Sequence, residues 1–190
     1  MPDATTRPAL SSGPRDAPSG PLSRRPAPGP RSVVGVADFA VAKGPDHQIV
    51  TYALGSCIGV TVWDPMTHVG GMLHFMLPTS RTNPEKAAAS PAMFADTGMP
   101  LLFKTAYEQG AAKARLIVTA AGGAEVLAGN GHFRIGHRNR TVLRKMFFKA
   151  GVLLKAEDCG GNDSRTLSLN LADGTVSVKS RGTETTLWAA

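Results

Sequence analysis

Thr51-Tyr-Ala-Leu-Gly-Ser-Cys57-Ile-Gly-Val-Thr-Val-Trp-Asp64-Pro-Met-Thr-His-Val69-Gly-Gly-Met-Leu-His74-Phe-Met-Leu77 is the stretch that decides the fold. Residues 58–64 alternate as a strand, 65–69 read as a turn, and 70–77 read as the return strand. If Trp63 pairs with Gly70, Gly59 faces His74 and Cys57 faces Met76. Cys57 and His74 then become diagonal neighbours on one face, about 7–8 Å apart at the backbone and within side-chain reach. A thiol beside an imidazole is the minimum equipment for a cysteine nucleophile, because the base makes the reactive thiolate.

Outward from this hairpin, 33–41 suggests a first strand and 48–54 a second, ending at the Gly55-Ser56 turn. Residues 79–92 are polar and Pro-punctuated and read as a surface loop. Phe94, Thr97, Leu101, Leu102, Thr105 and Ala106 repeat at helical spacing, with Pro100 a kink or first-turn residue and Gly110 the stop. A buried-type strand follows at 114–120, then a Gly-rich, His-containing loop at 128–137. A second helix opens at Asn139 or Arg140, with Val142, Met146 and Phe147 inward and Gly151 closing it. Residues 152–156 read as a strand, and 166–171 with 175–179 as a last hairpin around Ala172-Asp-Gly174. About eight strands and two or three helices, with hairpins dominant, predict an α+β layered sandwich with mostly antiparallel or mixed sheets. They argue against a doubly wound nucleotide fold.

The chain has 190 residues and 42% hydrophobic content, enough for one domain with a core, expected over 32–190. Residues 1–31 are rich in Pro, Ser, Arg and Gly and are expected to be a disordered tail. No apolar run approaches 18 residues and no signal-peptide h-region opens the chain, so a cytoplasmic protein without membrane insertion is expected. Two cysteines are too few for a disulfide framework. The net charge of +7 raises nucleic-acid binding. Part of that excess lies in the tail, and no aromatic-basic platform accompanies it, so no nucleic-acid partner is expected.

Free cysteine often just packs. Cys57 differs in following Gly-Ser at a strand boundary, in its placement relative to His74, and in the nearby glycines 55, 59, 70 and 71, which leave room for a substrate backbone. Its neighbouring N–H groups offer an oxyanion hole. His74 needs a partner for its other ring nitrogen, and Thr51 on the preceding strand offers a hydroxyl or a carbonyl. Cys159 has no nearby histidine and reads as structural. The histidines show no zinc-type spacing with the cysteines, and neither Gly122-Gly123 nor Gly160-Gly161 fits a phosphate loop, so no metal or cofactor is expected. On residues alone, a peptidase or transglutaminase-like enzyme remains open.

Several boxes in order add a resemblance. Val41-Ala-Lys-Gly44, Leu54-Gly-Ser-Cys-Ile-Gly59, Asp64-Pro65, Gly70-Gly-Met-Leu-His-Phe-Met-Leu-Pro78, Ala121-Gly-Gly-Ala124, Arg138-Asn139 and Gly160-Gly-Asn162 with Arg165 resemble the CheD family. CheD proteins are the chemoreceptor glutamine deamidases of bacterial and archaeal chemotaxis. The resemblance implies a Cys57 nucleophile, His74 as general base and acid, and Thr51 as the residue that orients His74. It implies a layered α/β sandwich, chemoreceptor cytoplasmic helices as substrate, and a CheC-type phosphatase as a binding partner. Binding without catalysis is the alternative it carries. The chain departs from the family at Asp163-Ser164, where an aromatic and a glycine are usual.

Overall fold

The computed structural model describes residues 29–125 and 134–190. Ten strands and three α-helices are present among them, in order β1 (Arg31–Val34), β2 (Asp38–Lys43), β3 (Gln48–Leu54), β4 (Ile58–Asp64), β5 (Val69–Phe75), α1 (Pro84–Ala89), α2 (Ala95–Glu108), β6 (Ile117–Gly122), α3 (Ile135–Ala150), β7 (Leu154–Cys159), β8 (Arg165–Asn170), β9 (Val176–Ser180) and β10 (Thr183–Trp188). They form two five-stranded sheets, one in the order β1-β3-β8-β9-β10 and the other β2-β5-β4-β6-β7. Both are mixed: β1–β3 and β6–β7 are parallel and the remaining pairs antiparallel. The layered α+β expectation holds.

The central hairpin has the register its sequence predicts, but pairing stops at Ile58–Phe75, so the expected Cys57–Met76 pair does not form. Trp63 pairs with Gly70 and Gly59 with His74. Strands β4 and β5 are buried along their whole length, because they lie mid-sheet between two apolar layers. One face carries Ile58, Val60, Val62, Leu73 and Phe75 against Met99, Leu102, Leu143 and Phe147 of α2 and α3. The other face carries Trp63 and Met72 against Ile49, Leu54, Leu167 and Leu169 of the first sheet. The layers therefore run sheet, sheet, helices, with a separate apolar core in each gap.

Several expectations need correction. The strand expected at 33–41 is two strands in different sheets. The chain crosses between them at Gly35–Ala37, where Ala37 takes φ 59°. A non-glycine residue in that region marks a forced turn. The loop expected at 79–92 contains α1, started by Asn83, whose side chain accepts from the Lys86 N–H, and by Pro84 at its first position. Helix α3 starts at Ile135, several residues before Asn139, and Pro100 sits in the second turn of α2. Strand β10 was not anticipated. Thr183-Glu-Thr-Thr carries no apolar alternation, because it is an exposed edge strand. The expected tail lies outside the described residues except for 29–31, of which Arg31 pairs with Gln48 in β1. Most of the loop expected at 128–137 also lies outside them.

Leu73 is fully buried on the helix side, against Gly98 of α2. Leu73→Ala is expected to lower the unfolding free energy by about 2–5 kcal/mol. Val33→Ala, at a side chain 60% exposed, should change it by less than about 0.5 kcal/mol. Urea denaturation checks both.

Candidate functional site

His74 lies near the end of β5, flanked by β4 and by Asp38 of β2. Its side chain enters the gap between the sheets and is fully buried. There its Nδ1 lies 2.7 Å from Thr51 Oγ1. Thr51 is on β3, as read from the sequence, but β3 belongs to the other sheet. This contact therefore spans the sandwich. The same hydroxyl donates to the Val34 carbonyl of β1 at 2.8 Å. A hydroxyl has one proton. With that proton on Val34, Thr51 Oγ1 accepts from His74, so Nδ1 carries the ring hydrogen and Nε2 keeps a bare lone pair. Nε2 is buried and has no hydrogen-bond partner among the described residues.

Cys57 lies just before β4 and is half-buried, packed at the edge of the inter-sheet core. A side chain at Gly59 would point at Leu54 and Leu167 of the first sheet, on the face His74 uses. By strand alternation Cys57 stands on that face too. The sulfur and the ring share one side of the sheet, and no hydrogen bond joins them in this resting arrangement. Catalytic contacts are often long before substrate binds.

The local backbone explains how Cys57 is held. The β3–β8 register shifts between Thr51 and Leu54, and Ala53 takes φ 57°. Such bulges redirect a strand beside functional sites. The next three carbonyls are each engaged. The Gly55 carbonyl accepts from Ala124 N–H at 2.8 Å and the Cys57 carbonyl from Gly123 N–H at 2.7 Å. The Ser56 carbonyl accepts from Asn139 Nδ2 at 2.9 Å. Gly122 has φ 113°, and a Cβ there would collide with the Cys57 carbonyl. That position needs glycine on both counts. The Ser56 and Cys57 N–H groups make no backbone–backbone hydrogen bond among the described residues.

The late loop borders this region. Gly160 N–H donates to the Gly122 carbonyl and Glu125 N–H to the Gly161 carbonyl. Arg165 is bidentate on Asp158, with both bonds at 2.9 Å, and Asp163 pairs with Arg181 at 2.7 Å. Cys159 packs on the helix side of the second sheet, with burial pushing its thiol up to about 12. Among the described residues no group of three or more His, Cys, Asp or Glu forms a metal cage. Two cavities lie away from the site. One of 490 Å³ runs between Phe103 and Val152, and one of 430 Å³ lies on the outer face of the first sheet at Tyr52.

Burial sets the protonation of the pair. It raises the Cys57 thiol above its ordinary value, opposed by the residue's own N–H, and lowers the His74 imidazole to about 4. At neutral pH the resting pair is a thiol and a neutral imidazole, not an ion pair. A thiol donor beside an oriented, unprotonated nitrogen suits attack on an acyl carbon.

Asn139 is a residue whose place the sequence reading missed. It is fully buried in α3, in the stripe Gly136, Asn139, Leu143, Phe147. A lone amide at helical spacing within a buried stripe was the available signal.

A half-buried cysteine on the same sheet face as a histidine whose Nδ1 is held by a threonine, on a two-sheet sandwich, is an arrangement suited to thiol acyl transfer. The comparisons with known proteins fit it. The family described as CheD chemotactic sensory transduction matches residues 76–180. A probable chemoreceptor glutamine deamidase CheD 1 of Syntrophus aciditrophicus is 50% identical over 150 residues, covering 79% of this chain and 94% of the relative. A probable chemoreceptor glutamine deamidase CheD of Solibacter usitatus is 46% identical over 150 residues, 79% of this chain and 89% of that protein. Its Pyrococcus abyssi counterpart is 40% identical over 148 residues, 77% and 89%. The chain belongs to the CheD family. The family match begins after Thr51, Cys57 and His74. The alignment with the Syntrophus relative includes them, since any 150-residue span of this chain contains residues 41–150.

The depressed His74 value has a signed consequence for stability. The folded state binds fewer protons than the unfolded state between about pH 6.5 and 4. Stability is therefore full above 6.5 and is lost as pH falls through that window, by on the order of 3 kcal/mol. Urea titrations at stepped pH should show this slope in the wild type and a shallower one in His74→Asn.

Proposed function

We propose that this chain hydrolyses glutamine side-chain amides of chemoreceptors to glutamate, releasing ammonia, with Cys57 as nucleophile, His74 as general base and acid, and Thr51 as the residue orienting His74. The observation that carries the reading is the Thr51 hydroxyl. By donating to Val34 and accepting from Nδ1, it leaves the lone pair on Nε2, in a ring that shares its sheet face with Cys57. The names of the relatives select glutamine among acyl substrates and chemoreceptors among proteins.

In the proposed sequence, His74 Nε2 takes the Cys57 proton as sulfur attacks the carboxamide carbon. The Ser56 and Cys57 N–H groups are the donors available to the developing oxyanion. The imidazolium protonates the departing nitrogen, and ammonia leaves a thioester. Water, deprotonated by the same nitrogen, cleaves the thioester to glutamate and regenerates the thiol. Each turnover adds one negative charge to a receptor helix, enough to bias a balanced signalling equilibrium. Among the described residues no helix is long and apolar enough to cross a membrane. We place the reaction at the cytoplasmic helices of the receptor. A CheC-type phosphatase as regulatory partner belongs to the same reading and rests on the family resemblance.

The test is incubation with a receptor cytoplasmic fragment, followed by mass spectrometry and ammonia release. Wild type should add about one dalton per site without shortening the chain. Cys57→Ala should fold and show no turnover, and full activity in it would end the nucleophile assignment. Thr51→Val keeps the side-chain shape but removes the acceptor at Nδ1. It should lower kcat by about 100-fold or more, because the wrong tautomer then competes.

A further inference from the structure

We propose that Asn139 is a positioning residue for the Cys57–His74 pair, acting as a clamp between the two chain segments that carry them. The inference rests on the catalytic reading above. The β4–β5 ladder ends at the pair Ile58–Phe75. Beyond it no strand pairing holds the Cys57 segment to the one leaving His74. Asn139 supplies the missing link from α3. Its Nδ2 donates to the Ser56 carbonyl at 2.9 Å and to the Met76 carbonyl at 2.8 Å. One carbonyl belongs to the residue before the nucleophile, the other to the second residue after the base.

The chemistry of the side chain is specific to this task. Both partners are acceptors, so the amide orientation is forced and both Nδ2 protons are used. Serine has one proton to give, and aspartate would set a carboxylate against two carbonyl oxygens. The group is also retained at a cost to the fold, since its Oδ1 is buried without a hydrogen-bond partner among the described residues. An unpaired acceptor calls for an explanation, and the two donors provide one. The helix is docked closely enough for so short a side chain to reach. A Cβ at Gly136 would collide with the Gly123 and Ala124 carbonyls, and Arg140 Nη1 donates to the Gly123 carbonyl at 3.1 Å. Gly123 and Ala124 in turn hold the carbonyls on either side of Ser56. Asn139 thus completes a run of three anchored carbonyls and is the member that also grips the His74 side.

Three measurements test this. In the wild type, NMR should find the Asn139 side-chain amide protons exchanging at least tenfold more slowly than those of exposed Asn162, and equal rates would overturn the clamp. On a receptor fragment, Asn139→Ala should lower kcat about 100-fold with KM within twofold, as a small misplacement of reacting groups does. Leu143→Ala, one turn along the same buried stripe and touching neither carbonyl, should lose comparable thermal stability yet keep kcat within about threefold. An Asn139→Ala kcat within threefold of wild type, or an equal kcat loss in Leu143→Ala, would overturn the positioning role. If Asn139→Ala does not fold, Asn139→Ser, which keeps one donor, is held to the same criteria. Iodoacetamide labelling of Cys57 separates failure of this inference from failure of the catalytic reading, because it needs no receptor. Asn139→Ala should change the rate and pH dependence of labelling even if the wild type deamidates nothing, and an unchanged profile counts against the clamp.

Discussion

A single hydroxyl proton organises the centre of this protein. Thr51 gives it to the Val34 carbonyl, and everything about His74 follows: which ring nitrogen is protonated, which is bare, and which way the ring is turned. The bond is made across the two sheets, so the distance between them becomes a chemical variable. Ile49, Leu54, Leu167, Leu169 and Trp63 fill the gap and set that distance. Apolar packing in the inter-sheet core is thus a condition for the tautomer of one imidazole. The β1–β2 crossover closes the edge of the site, with Ala37 N–H bonded to the His74 carbonyl at 3.0 Å.

The same burial that orients the ring discharges it. An imidazole held near 4 and a thiol held above its usual value do not form the ion pair seen in strongly activated cysteine enzymes. A neutral pair is less reactive toward stray electrophiles and oxidants than a standing thiolate. In the mechanism we propose, its reactivity depends on a bound acyl group drawing the proton across. For an enzyme that modifies selected residues on another protein, that coupling restrains reaction elsewhere.

The hairpin was legible because alternation and glycine placement fix register locally. Trp63 opposite Gly70 follows from one short turn, and with it the position of His74. The sheet to which Thr51 belongs was not legible. Alternation shows which residues share a strand face, not which of two sheets a strand joins, and the contact to His74 bridges 23 positions. The break at Gly35–Ala37 was hidden for a related reason. Residues 33–41 read as one apolar strand because each half packs on a different layer. Exposed β10 left no pattern, and α3 was read as starting late because Ile135–Arg138 carries no cap signal. Asn139 was read as a helix-start residue and as part of a family box, but not as a buried link, since a buried amide is recognised by its acceptors, and those lie 63 and 83 positions away.

The second sheet also keeps the chain's two thiols apart. Cys57 belongs to the inter-sheet core and Cys159 to the helix-side core. Cys159 pairs with Gly122, which pairs with Ile58, so a full strand lies between the two thiols. Two ladder spacings are about 10 Å, beyond what a disulfide spans. Peroxide reaching Cys57 therefore finds no resolving thiol within the same molecule, and recovery from a sulfenic acid falls to a small thiol of the surrounding solution.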